Sequence, residues 1–207
     1  MAIADGLAIN CSDLQAVGGT RIIALRVWDS TDLVVFDDAD HDITSIKLGA
    51  SAASWGVFES RIESSSLSVN GTAEGKDCTT YECSLSFFVP GMTKQQFDRI
   101  NEMTGKCLMA LVIDNNDYSS ATQVPSSGVT FAQNKVIGVS NTKANADKAV
   151  RTQQYATIAS VEGGTGAAFS DEIGVTVTIS ATQYEIPRQY AGTIALDSDG
   201  LGLTTTA

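Results

Sequence analysis

His41 is the only histidine in the chain, and it stands within Asp38-Ala39-Asp40-His41-Asp42. A Ser-His-Asp hydrolase has to use it, because no other imidazole is there to take the nucleophile's proton. Inside an aspartate run it reads instead as a solvated surface residue. The same run opens like a calcium loop, with carboxylates at alternate positions. Ile43, however, replaces the turning glycine of such a loop, and Gly49 replaces its bidentate glutamate. A solvated acidic loop is the reading that remains. Gly164-Thr165-Gly166-Ala167-Ala168-Phe169 half-matches a dinucleotide loop, but the third glycine is missing and a strand pattern follows. No phosphate-loop Gly-Lys-Ser/Thr is present.

Cys11, Cys78, Cys83 and Cys107 form no C-x-x-C pair, and no histidine tract accompanies them, which argues against zinc. Cys78 and Cys83 are spaced to meet across a turn. Residues 1–10 (MAIADGLAIN) carry neither a basic segment nor an apolar stretch of the export type. The expectation is therefore four reduced thiols. A carboxylate pair for glycoside hydrolysis leaves no local signature, and Trp28 and Trp55 read as sheet residues. The sequence thus predicts no catalytic residue, no bound cofactor and no tightly held metal.

Charge narrows the partners. The chain has 24 acidic and 13 basic residues, a formal net charge of −11. Gripping nucleic acid needs Lys and Arg against phosphate, so an acidic chain can lie beside DNA without sticking to it. Only 18% of residues are charged, while 43% are hydrophobic. A core is available, and the polar surface must be largely Ser, Thr, Asn, Gln and Gly. Such a surface suits a chain that buries much of itself in an assembly. No apolar run approaches the ~18 residues of a membrane helix.

The elements that carry these residues are mostly strands. Residues 21–28 (RIIALRVW) are apolar on both faces, and 79–89 (TTYECSLSFFV) alternate cleanly, with Tyr81, Cys83, Leu85 and Phe87 on one side. Further strands are expected at 33–36, 43–48, 56–62, 67–69, 106–114, 129–139, 154–161 and around Val175, Val177 and Ile179. Two weaker ones are expected at 184–186 and 190–196. Turns are expected at Asn70-Gly71 and over 163–166. One helix is predicted at 94–104: Thr93 is the N-cap, Gln96 completes a capping box, Met92 can staple onto Phe97, and Gly105 stops it. Its Phe97/Ile100 face should pack on a sheet built from 79–89 and 106–114. Residues 1–19 read as an N-terminal arm, and 197–207 as a flexible tail. The fold class is mainly β: a single domain of two packed antiparallel sheets, sandwich or barrel, with one helix and extended loops.

The stretch 81–117 runs amphipathic strand, Pro90-Gly91 turn, capped helix, apolar strand, then Asp114-Asn115-Asn116. In this order it resembles the central part of the major tail tube proteins of long-tailed bacteriophages. The corresponding residues are Phe87 to Pro90, Phe97 and Ile100, Leu111 to Ile113, and the Asp-Asn-Asn turn; Asp117 stands where that pattern often has glycine. Residues 169–187 (FSDEIGVTVTISATQYEIP) resemble the late part of the same proteins.

The resemblance implies a structural virion protein, assembled in the bacterial cytoplasm. It implies hexameric rings stacked as a tail tube, with tape measure, terminator and distal tail proteins as further partners. DNA would pass through a negatively charged lumen without specific binding. Other virion positions (terminator, neck, decoration, baseplate) and a secreted β-sandwich adhesin are the alternative readings. The segment 29–42 holds six aspartates and no Lys or Arg, which makes it a candidate inter-subunit arm. Its proposed contact residues are Asp29, Asp32, Val34, Phe36, Asp37, Asp38, Asp40 and Asp42.

Overall fold

The computed structural model of the chain describes residues 19–29, 32–36, 42–49, 55–59, 63–73, 79–115, 134–139, 154–168, 171–196 and 202–206. Its elements are β1 (Thr20–Val27), β2 (Leu33–Phe36), β3 (Ile43–Lys47), β4 (Trp55–Glu59), β5 (Ser65–Ala73), β6 (Thr79–Pro90), α1 (Lys94–Met103), β7 (Leu108–Asp114), β8 (Lys135–Ile137), β9 (Thr157–Gly164), β10 (Gly174–Gln183), β11 (Arg188–Gln189), β12 (Thr193–Leu196) and β13 (Gly202–Thr206).

Strands that are apolar on both faces need cover on both sides. β1 and β7 obtain it at the centre of a seven-stranded antiparallel sheet of order β11-β8-β7-β1-β4-β13-β12. Ile23 lies between Val112 and Phe58, and its neighbour Ala24 lies between Leu111 and Val57. Because side chains alternate across a strand, the first trio enters one core and the second trio another. The first core is closed by a four-stranded antiparallel sheet, β5-β6-β10-β9. Cys83, Leu85 and Phe87 of β6 and Val175, Val177 and Ile179 of β10 face it. The second core is closed by the β2-β3 hairpin, through Val34, Ile43 and Ile46, with Tyr190 and Trp55 alongside. The two larger sheets pack as a β-sandwich, and the hairpin adds a third layer outside it.

The helix forms as its caps predict. The Thr93 side chain accepts from the Gln96 backbone, and Gln96 reaches back to the Thr93 N–H. Its packing differs from the expectation. β6 and β7 belong to opposite sheets, and the helix lies at their common end with Ile100 and Met103 buried. Phe97 is 37% exposed. The inward stripe runs through Ile100 and Met103, and Phe97 falls on its shoulder.

Four further expectations are corrected. Gly202–Thr206, read as flexible tail, is strand β13, with Leu203 opposite both Trp55 and Leu196. The Thr205 hydroxyl donates to the Ile46 carbonyl at 2.7 Å and accepts from the Trp55 indole at 3.3 Å. Asn70 and Gly71 do not turn; they continue β5 opposite Glu82 and Tyr81. A Cβ at Gly71 would sit 3.0 Å from the Tyr81 ring, so glycine makes room for the aromatic there. Gly163 and Gly164 extend β9 rather than turning. Tyr184 and Glu185 form a bend, not a strand, and a short β11 follows.

Candidate functional site

Serine and threonine alternate with apolar residues in β5, β6 and β10, and the register aligns the alternations across strands. Ser66 is opposite Ser86, Ser86 opposite Thr178, and Thr178 opposite Ser160. A second row runs Ser68, Ser84, Ser180, Thr157. Neighbouring strands are about 4.8 Å apart and same-face residues about 6.7 Å apart along a strand. The outer face of the four-stranded sheet is therefore a lattice of hydroxyls. Glu82 and Glu162 flank it, each on an exposed position. Among the described residues this face carries no Lys or Arg. Chemically, it offers hydrogen bonds and negative charge but no cation for a phosphate.

This sheet also ends in two strands that pair on one side only, among the described residues: β5 with β6, and β9 with β10. An open edge presents unpaired N–H and C=O groups and invites another strand. At each edge a core-facing valine stays partly uncovered, Val69 at 39% and Val161 at 44%. Beside Val69, Leu67, Val112, Ile186 and Pro187 line a groove of about 350 Å³ between the sheets. Lys135 and Asp114 stand at its wall. Burial lowers the Lys135 pKa, and the Asp42 and Asp114 carboxylates act against that.

The acidic segment is placed differently from the expectation. Asp32 is 2% exposed and Val34 3%, so neither offers surface to another subunit. The Asp32 carboxylate accepts from Arg26 Nε at 2.8 Å and Nη2 at 2.7 Å, from the Asp29 N–H at 3.1 Å and from the Gly49 N–H at 2.9 Å. It ties the β2-β3 hairpin to β1. Phe36 is half-buried under the Arg188 guanidinium, 5.6 Å from the ring centroid. Asp29 is exposed and Asp42 half-buried. Asp37, Asp38, Asp40 and His41 lie outside the described residues.

Other chemistry-bearing groups serve the fold. Cys83 is buried, its S–H donates to Gln183 Oε1 at 3.3 Å, and Gln183 Nε2 donates to the Val139 carbonyl at 2.6 Å. Burial, with the Glu82 charge, pushes the Cys83 pKa up to about 11. Cys107 is exposed, and Cys11 and Cys78 lie outside the described residues. Ala167, Ala168 and Asp171 belong to the connection between β9 and β10. The Asp171 carboxylate accepts from the Ala168 and Ala167 N–H groups at 2.8 and 2.7 Å, and these bonds lower its pKa. Among the described residues no group of three or more His, Cys, Asp or Glu is placed to hold a metal, and no helix is long and apolar enough to cross a membrane.

Sequence reasoning found the alternation in β6 and β10 but not the hydroxyl lattice. The signal was present as Ser-x-Ser and Thr-x-Thr repeats, but their alignment depends on register. No family model, curated protein or solved structure matches the chain.

Proposed function

We propose that the chain is a structural subunit that closes into rings and stacks as a tube, in the manner of a bacteriophage tail tube, with the hydroxyl face of its four-stranded sheet lining the bore. One observation carries this reading: among the described residues the same sheet is free of cations and, Phe88 and Pro90 apart, of large apolar side chains on one face, is packed on a core by the other, and is open at both edges. A sheet with two open edges is completed by other copies, and a head-to-tail contact that closes gives a ring. The resemblance supplies the number six. Six such sheets, at about 4.8 Å per strand and a strand tilt of about 36°, enclose a bore roughly 45 Å across, backbone to backbone. That passage is wider than duplex DNA, and Glu82 and Glu162 on its wall repel phosphate.

Negative-stain microscopy and mass measurement of the purified protein test this. Hollow tubes or sixfold rings are the expected result. A protein that stays monomeric at high concentration and is absent from virion tails is not a tube subunit.

A further inference from the structure

Resting on that reading, we infer that the ring junction is a β5-to-β9 antiparallel pairing of two copies in one register, with Val161 of one copy opposite Val69 of the next. The direction follows from the strand order. β5, β6, β10 and β9 alternate in direction, so an edge β5 meets a neighbour's β9 antiparallel when both copies point the same way.

The register follows from three constraints. Parity comes first: an odd slip turns core-facing side chains to the wrong face, so Val161 is opposite Ser65, Leu67, Val69, Gly71 or, at the strand's last residue, Ala73. Overlap comes second. With Val69 opposite Val161, Gly164 meets Ser66 and Ser160 meets Asn70; β9 bulges at Ala159, which has no partner on β10, so Ile158 meets Gly71 and Thr157 meets Thr72, and all of β9 lies alongside β5. With Ser65 opposite Val161, β9 runs past the start of β5. With Gly71 or Ala73 there, it runs past the end.

Closure comes third. Within one sheet Ser65, Phe87, Val177 and Val161 form one row. Joining that row to Val69 shifts it four residues over four strands. One residue per strand, about 3.3 Å along for about 4.8 Å across, tilts the strands by about 35°, within the range of closed barrels. Leu67 would give about 19°, too flat for that range, by the same spacings. The Val69 register also buries the two exposed valines against each other and fills the groove beside Ile186.

Paired cysteines test it. In a chain with Cys11, Cys78 and Cys107 changed to serine, Val161→Cys is combined with Leu67→Cys, Val69→Cys or Gly71→Cys, and assembled material is oxidised. Directly opposed positions are near enough to bridge. The expected result is a reductant-sensitive ladder of multimers from Val69→Cys with Val161→Cys, at least tenfold stronger than from the other pairs and absent from either single variant. Rings that ladder best through Leu67 or Gly71 overturn the register and leave the ring standing. Rings that ladder through none of the pairs overturn the edge junction. A chain without substitutions that forms no rings under the microscope overturns the ring reading and the junction together.

Discussion

Arg26 clasps Asp32 through two nitrogens, Nε at 2.8 Å and Nη2 at 2.7 Å, where the Asp32 side chain is fully buried and the Arg26 side chain nearly so. The carboxylate also takes the Gly49 N–H, so one side chain joins β1 to both ends of the β2-β3 hairpin. Asp32→Ala strips this carboxylate from the buried guanidinium and should cost about 3–5 kcal/mol. Denaturant midpoints measure it; a loss under about 1 kcal/mol would mean that the pair does not hold the hairpin.

Two neighbours on α1 should behave differently. Ile100 is 4% exposed and Phe97 37%. Ile100→Ala opens a core cavity and should cost about 2–5 kcal/mol, whereas Phe97→Ala should cost less than about 1 kcal/mol. Equal losses in thermal unfolding would contradict the observed orientation of the helix.

Cys83 predicts an alkaline weakness. Its folded pKa is about 11 against 9.0 for the free thiol. Below pH 9 both states hold the proton and the fold is unaffected. Between about 9 and 11 only the unfolded state releases it, so stability falls as pH rises, by up to about 2–3 kcal/mol. Cys83→Ala should remove that component of the slope. The check is the difference between the two proteins' unfolding free energies from pH 8 to 11; parallel curves would rule the thiol out. At pH 8 a thiol reagent should label Cys107 quickly and Cys83 only on unfolding.

The bore assignment predicts a gain of function. Ser84→Arg with Ser180→Arg places cations on two strands of the hydroxyl lattice. Both serines are half-buried on the outer face, and an arginine stem can lie along such a surface with its head in water, so folding and ring formation should persist. The assembled variant should retain DNA in a strongly salt-dependent way. A variant that forms tubes with no such retention would place this face away from the bore.

The sequence foretold the strands whose pattern is decided locally. In β6 and β10, alternation and burial agree because one face meets a core. β1 and β7 read as two-sided, and their central place between two cores explains it. What stayed hidden is what neighbours decide. β13 is small and polar, and it becomes a strand because Trp55 and Ile46 offer partners to Thr205. Asn70-Gly71 has the residues of a turn, but Tyr81 across the strand uses the glycine for its ring. Asp32 looked like one of six solvated aspartates, and only Arg26, six residues earlier, distinguishes it. The candidate surface was illegible for the same reason: each Ser or Thr is unremarkable until the register sets four of them in a row.

The bond between Trp55 and Thr205 spans 150 residues of chain. A ribosome adding about 5–20 residues per second makes the second partner roughly 7–30 s after the first. Throughout that interval β4 lacks one neighbour, and the indole that later lies at 0% exposure has no β13 to cover it. Local hairpins such as β2-β3 close in microseconds, so the nascent chain waits half-built, with the indole of Trp55 short of one partner. In an abundantly made protein, that waiting period is when a chaperone would matter most and when slowed translation would do the most harm.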